Sequence, residues 1–345
     1  PCILYGELYT KYKSEIIKQV ESKTDINGSK LKRSKANDVI IPCSGETAVD
    51  IATARCVPFD NILFGGDLNV ISLHQYDGAF MSYQLNGKRK YDIARVAQGV
   101  SIVHLYGEHL KAIKTYNPTL PEQQKIAKLL SLLDDRIDTQ NKIIEDLKKL
   151  KSAIIHRCYS SQTNMIPLSE LLKQCSDRNR SGSDLQVLSV SNKYGFIAQS
   201  NQFEDREVAS DDTSNYKVVK KGMFAYNPAR INVGSIALYE MDGNGIVSPM
   251  YVCFTTKSEL LPSYLKYYFA SQTFKHEMYK RLEGSVRLCL TFEELCNIEI
   301  HLPSIEQQKN ISKYISKIEN NLSLVDSIFS KYQQQRRYLL SQMFI

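Results

Sequence analysis

The hydrophobic pattern has two textures along this chain. Over most of it, short apolar runs end at Gly, Pro or polar clusters, which is how strands read. Such runs lie at Val39 to Cys43, Asn61 to Gly66, Leu185 to Ser191, Met223 to Glu240 and Met250 to Thr256. Two stretches instead step by four and three. The first holds Ile126, Leu130, Leu133, Ile137, Ile144, Leu147, Ile154 and Cys158, interrupted only by Gln140 and Lys151. The second holds Ile311, Ile315, Ile318, Leu322, Val325, Phe329, Tyr332, Leu339 and Met343, with Arg336 the exception. Both are heptad seams free of Gly and Pro, so each predicts an unbroken helix of roughly 50 Å. Asp77 to Ile93 and Leu261 to Leu282 predict shorter helices, with Phe80, Tyr83 and Leu85 on the buried side of the first.

The two textures occur twice. At a constant shift of 185 positions Gly99 falls on Gly284, Leu105 on Leu290, Glu108 on Glu293, Leu110 on Leu295, Ile113 on Ile298 and Pro118 on Pro303. The match continues through both seams, where Lys151 meets Arg336. LPEQQKI at Leu120 echoes EQQKNI at Glu306 one residue out of register, and Phe80, Tyr83 and Leu85 resemble Tyr264, Tyr267 and Phe269 at a shift of 184. So many matches mark an internal duplication. The fold expected is α+β: two tandem domains, each followed by a long helix, the helices paired as an antiparallel coiled coil with pseudo-twofold symmetry. The boundaries expected are 1–116 and 161–301 for the domains, with 117–160 and 302–345 as helical spacers. The alternative is that each helix packs only on its own domain. Lys151 and Arg336 read as snorkelling or paired seam residues of the kind that fix register.

Composition narrows the class. A chain of 345 residues with 43% hydrophobic and 23% charged residues can bury two ordinary cores. No apolar run is long enough for a membrane span, so no membrane partner is expected. The start, PCILYGELYT, lacks a Met and a signal-like pattern, and the native start is expected further upstream. The eight cysteines form no C-x-x-C pair and no metal spacing, which reads as free thiols in a reducing cytosol. The net charge of +7 is only modestly basic.

Basic and hydrogen-bonding residues nevertheless gather in turn-rich places. The candidate DNA contacts are Lys32, Arg33, Ser44, Lys88, Arg89, Ser101 and His104 in the first half, and Asn227, Arg230, Asn232, Ser285 and Arg287 in the second. Arg suits a guanine edge, Asn an adenine edge and Lys a phosphate. Catalytic chemistry finds no foothold. NPTL at Asn117 and NPAR at Asn227 do not fit the (N/D)-P-P-(Y/F) element of an amino-methyltransferase, and GKRK at Gly87 is not a phosphate-binding loop. No catalytic or metal-ligating residue is assigned.

These features resemble the specificity subunit of type I restriction–modification systems. The resemblance is carried by Leu120 to Tyr159, its copy from Glu306, and the strings IPCSGET, GGDLNV, ARVAQGVSIVHL and YNPARINVGSIA. It covers nearly the whole chain, departing at the front, where the first domain is shorter than the second. It implies a non-catalytic subunit of a prokaryotic cytoplasm whose two target-recognition domains each read one half of a bipartite site on double-stranded DNA. It also implies two modification (methyltransferase) subunits docked on the helices and bringing AdoMet, and restriction subunits that bring ATP and Mg. No cofactor is expected on this chain. The helix residues expected to form the seam and carry partners are Ile126, Leu130, Leu133, Ile137, Ile144, Leu147, Ile311, Ile315, Ile318, Leu322, Phe329 and Tyr332. Open alternatives are the specificity subunit of a system cutting both sides of its site, a fused restriction–modification polypeptide, and a coiled-coil adaptor that binds only protein.

Overall fold

A computed structural model of the chain describes residues 1–26, 31–161, 163–180, 182, 184–199, 213–284 and 288–344. The chain divides into two compact units, residues 1–144 with 324–345, and residues 145–323. Each unit therefore takes a half of both long helices.

The long helices are Leu120–Tyr159 and Ile305–Gln342. Each begins at a side-chain cap, reciprocal in the second as in a capping box. Thr119 and Glu122 close the first, the Thr119 amide and hydroxyl donating to Glu122 Oε2 at 3.1 and 2.6 Å. Ser304 and Gln307 close the second, with the Ser304 amide donating to Gln307 Oε1 and the Gln307 amide to Ser304 Oγ, at 3.1 and 3.3 Å. Every seam residue named above is buried or half-buried, and so are Gln140, Lys151 and Arg336.

In the first unit the central strand Asp38–Pro42 pairs antiparallel with Arg55–Val57 on one side and Leu68–Ile71 on the other. Val39 and Ile41 point into a core with Ile51, Met81, Leu85, Ile93, Val103 and Leu105. The domain helix Gly78–Asn86 is capped by Asp77, whose carboxylate accepts from the Phe80 amide at 2.7 Å. Its other face carries Phe80 and Tyr83 against Ala127 and Leu130 of the first long helix, Leu340 of the second, and Phe344 just beyond it. Pairing is antiparallel here: Asp134 faces Arg336, while Arg136, two residues on, faces Tyr332. The helix expected from Asp77 to Ile93 is interrupted. It stops at Gly87, where a Cβ would lie 3.0 Å from Tyr83 O and 3.2 Å from Leu340 O, and a second helix runs over Lys90–Val96.

In the second unit two four-stranded sheets form. One is mixed, ordered Gly195–Ala198, Val187–Ser191, Gly245–Val247, Lys217–Val219. The other is antiparallel, ordered Ile236–Leu238, Phe224–Tyr226, Val252–Thr256, Leu172–Cys175. Phe224 and Phe254 are cross-strand partners whose rings stack at 5.2 Å, anchoring an aromatic core with Tyr264, Tyr268, Phe269 and Phe274. The helix expected from Leu261 to Leu282 is two helices, Pro262–Phe269 and Gln272–Lys280. Ser271 breaks it because its hydroxyl caps the second piece, accepting from the Phe274 amide at 3.0 Å. The long-helix halves pair through Lys151 and Glu319, 2.6 Å apart.

The duplication extends to individual hydrogen bonds. Gln123 is buried, donates to Pro118 O at 2.8 Å and accepts from the Asp77 amide at 2.9 Å. Gln308 is buried, donates to Pro303 O at 2.9 Å and accepts from the Leu261 amide at 2.8 Å. The structural counterpart of Gln123 is thus Gln308, at a shift of 185, which resolves the apparent slip between the two EQQK strings. A second repeated joint is ionic. Tyr83 donates to Asp134 at 2.7 Å and Arg336 Nε bonds the same carboxylate at 2.6 Å, with Glu15 also bonded to Arg336. Tyr267 donates to Glu319 at 2.8 Å, and Lys151 bonds that carboxylate.

Candidate nucleic-acid interface

In each unit two residues that exchange backbone hydrogen bonds are tied, through the residue that follows, to a loop after a core strand. In the first, Gln98 and His104 exchange backbone hydrogen bonds of 2.9 and 2.7 Å around a tip of Gly99 to Ile102. Gly99 adopts φ +123°, and a Cβ there would lie 2.1 Å from Ile102 O, so the turn needs glycine. The hairpin pairs with Ser44–Gly45, and the Leu105 amide donates to Cys43 O at 2.8 Å. In the second unit, Glu283 and Cys289 exchange bonds of 2.9 and 2.8 Å, and the Leu290 amide donates to Pro228 O at 3.1 Å. Leu105 and Leu290, like Cys43 and Pro228, are related by the shift of 185. One scaffold therefore presents two loops of unlike chemistry, Ser44-Gly45-Glu46-Thr47 and Ala229-Arg230-Ile231-Asn232.

The structure brings Ser44, Ser101 and His104 together on the first hairpin and its paired strand. Ser101 and His104 are exposed, and the His104 ring stacks on Tyr106 at 6.2 Å. Ser44 is half-buried and donates to Asp67 at 3.3 Å. Lys32 and Arg33 lie on a different edge, beside strand Leu63–Phe64; Arg33 donates to Asn61 O at 3.1 Å, which ties it to its own loop, while Lys32 is exposed. Lys88 is exposed on the turn after the domain helix. Arg89 is half-buried and ion-paired with Asp92 at 3.5 Å. Burial pushes the neighbouring Lys90 ammonium below its ordinary pKa.

In the second unit Asn227 and Arg230 line one cleft of about 520 Å³. Asn227 is a loop-former: its Oδ1 accepts from the Ala229 amide at 3.0 Å and its Nδ2 meets Met250 Sδ at 3.5 Å. Arg230 is exposed and, among the described residues, its guanidinium has no hydrogen-bond or ionic partner. Asn232 is half-buried and lines an adjoining cleft with Lys266 and Lys275. Ser285 and Arg287 lie outside the described residues.

Sequence reasoning missed the other wall of the 520 Å³ cleft, where Ser191 and Asn192 open the turn Ser191-Asn192-Lys193-Tyr194 between two strands. Ser191 Oγ accepts from the Lys193 and Tyr194 amides at 3.2 and 3.4 Å, and Gly195 follows at φ +67°. Tyr194 is 67% exposed with the Lys193 ammonium 4.9 Å above its ring. A polar turn closed by Gly and carrying an exposed aromatic was the available signal. Among the described residues no group of three or more His, Cys, Asp or Glu side chains could hold a metal ion, and no helix is long and apolar enough to cross a membrane.

Comparison with known proteins places this architecture. The family described as "Type I restriction modification DNA specificity domain" matches residues 4–149 and again 180–328. The chain belongs to this family, that of type I restriction–modification specificity subunits, and carries two copies of its domain. It is 27% identical over 282 residues to the type I restriction enzyme MjaVIII specificity subunit of Methanocaldococcus jannaschii, covering 72% of this chain and 65% of that protein. The chain thus spans about 65% of the length of that curated relative. Its fold is similar to the crystal structure of a type I restriction–modification S subunit from M. genitalium, with TM-score 0.61 and 18% identity over 100% of this chain and 92% of the other. It is also similar to a chain from a structure concerned with complex assembly and conformational transition of the type I system, at TM-score 0.50 and 14% identity over 90% and 82% of the two chains.

Proposed function

We propose that this chain is the non-catalytic, sequence-reading subunit of a type I restriction–modification complex, and that its two domains, residues 1–116 and 161–301, each read one half of a bipartite site on double-stranded DNA. The observation that carries this reading is the repeated hairpin-to-loop bond, Leu105 to Cys43 and Leu290 to Pro228, beneath loops that have diverged. A scaffold kept in duplicate under unlike side chains suits a protein that holds two targets in one geometry.

The partners of this reading are two methyltransferase subunits, which carry AdoMet, and restriction subunits, which carry ATP and Mg; the chain itself holds no cofactor. The spacers 117–160 and 302–345 are their docking elements. A second apolar stripe on the first long helix supports this: Leu129, Leu132, Ile143 and Leu150 are 38 to 49% exposed beside a seam that is already filled.

The test is methylation sequencing in cells free of other DNA methylation, expressing the methyltransferase with and without this chain. A split motif methylated only when the chain is present is the expected result. Methylation indifferent to a full-length, folded chain would instead favour a protein-only adaptor.

A further inference from the structure

The cleft of the second unit has the makings of a specificity determinant, and this inference rests on the function proposed above. We propose that Arg230 is the guanine-reading side chain of the second domain, with Asn192 beside it reading the neighbouring base, and that the first domain has no equivalent cation.

Arg230 is held by backbone, not by its side chain. Its amide donates to Asn227 O at 2.9 Å, and its carbonyl accepts from Val233 and Ser235 at 3.2 and 3.1 Å. The loop is pinned below by Ser235, buried, whose hydroxyl donates to Val190 O at 3.0 Å, and it turns back through Gly234 at φ +92°. With no partner among the described residues and on a stem this well fixed, the guanidinium presents free donors to a ligand. Asn192 lines the same cleft, and its amide likewise has no partner among the described residues. In the same cleft stand Val233 and Met250, 58 and 62% exposed. Apolar groups flanking an Arg and an Asn suit base edges, which offer methyl groups and rings as well as acceptors, better than bare phosphate. The Arg fork matches guanine O6 and N7, and an Asn amide matches adenine N6 and N7.

The duplication supplies the contrast. At the shift of 185 the counterpart of Arg230 is Gly45, where even a Cβ would lie 2.5 Å from Ile51 Cγ2. That position of the first domain carries no side chain and admits none unless Ile51 moves, so the Arg230 contact has no equivalent there.

The experiment assembles the full chain with its methyltransferase subunits and methylates a DNA library randomised across the site. Three variants are compared with wild type: Arg230→Ala, Arg230→Gln and Asn192→Ala. The wild-type motif is expected to require a G in one half. Arg230→Ala should cut discrimination at that single position by about ten- to a hundredfold, and Arg230→Gln should move the preference there from G towards A. Asn192→Ala should relax an adjacent position, and the other half-site should keep every preference. A uniform loss of methylation across all sequences in both Arg230 variants would make the residue a phosphate contact and overturn the proposal. So would an unaltered G preference. A wild-type complex with no split motif would instead remove the functional reading itself.

Discussion

Arg336 is the side chain on which the first unit's helix pairing turns. Its guanidinium is shared by Asp134 and Glu15, both about 5% exposed as side chains, and Tyr83 donates to the same Asp134 carboxylate. Burial works against the Arg336 charge, but the two acids outweigh it and hold its pKa above the ordinary value. Burial dominates at Asp134 and raises its carboxyl, with Arg336 opposing. Removing the cation leaves two acids uncompensated, so Arg336→Met should cost about 3–5 kcal/mol in chemical denaturation. Lys151 in the second unit bonds Glu319 with side chains 28 and 33% exposed, where solvent screens the pair, and Lys151→Met should cost only about 1 kcal/mol or less. The pH dependence has a definite sign. A carboxyl with its folded pKa above the unfolded one binds protons on folding, so its contribution is complete below the unfolded pKa and lost as pH rises through the folded one. The Arg336→Met deficit should therefore shrink when denaturation is repeated at pH 5 instead of pH 8; a deficit that grows towards acid would contradict this account. Two thiols behave equally simply. Burial raises Cys56 and Cys253 to about 12. Neither should react with a thiol-exchange reagent at pH 8 until the chain unfolds, whereas the more accessible Cys289 and Cys296 should be modified in the native protein.

The helices show how far pattern alone reaches. Leu130 is 1% exposed and Leu129 next to it 49%. Leu130→Ala should accordingly cost about 2–5 kcal/mol, and Leu129→Ala should lie within about 0.5 kcal/mol of wild type in the isolated chain. On the proposed function, Leu129→Asp should in addition lower the amount of methyltransferase that co-purifies. The seam was legible because a heptad repeats one simple condition, burial, over more than thirty residues. So were the duplication, the α+β class and the buried side of the first domain helix with Phe80, Tyr83 and Leu85. The helix breaks at Gly87 and Ser271 were not, since each depends on a local event: a close backbone approach to Leu340 in one case and a capping hydroxyl in the other. The ionic joints escaped for another reason. Lys151 and Arg336 stood out as polar seam positions, but their partners Asp134 and Glu319 lie one place off the apolar seam, where a charge reads as solvated surface. Gln123 and Gln308 were hidden for a different reason: they stand in seam register, three residues before Ile126 and Ile311, but as polar residues of a first turn they read as surface. Each should cost about 1–3 kcal/mol when changed to Ala, because the amides of Asp77 and Leu261 would be left unpaired. Gln124→Ala, exposed and outside this joint, is the control.

At the scale of the whole molecule, the proposed function makes charge and base readout separable, because they depend on different things. The net charge of +7 is small, and the candidate cations are scattered: Lys32 and Lys88 are exposed, whereas Arg33 and Arg89 are engaged with their own unit. Phosphate contacts are indifferent to sequence and release counterions, so affinity for DNA falls with salt at a slope of about −0.9 per phosphate neutralised. On the proposed function, hydrogen bonds to base edges carry the sequence preference and the phosphate contacts carry most of the salt dependence. For the assembled complex, binding measured by fluorescence anisotropy between 50 and 200 mM salt should therefore give parallel lines for two duplexes, one with both half-sites intact and one with the second half-site scrambled. The scrambled duplex should bind more weakly at every salt concentration, by the summed cost of the lost base contacts, about 1–3 kcal/mol for each mismatched pair. A slope that collapses when the half-site is scrambled would mean that the second unit leaves the backbone altogether without its sequence. Base and phosphate contacts would then be made together or not at all, and readout would be a condition of docking, not an addition to it.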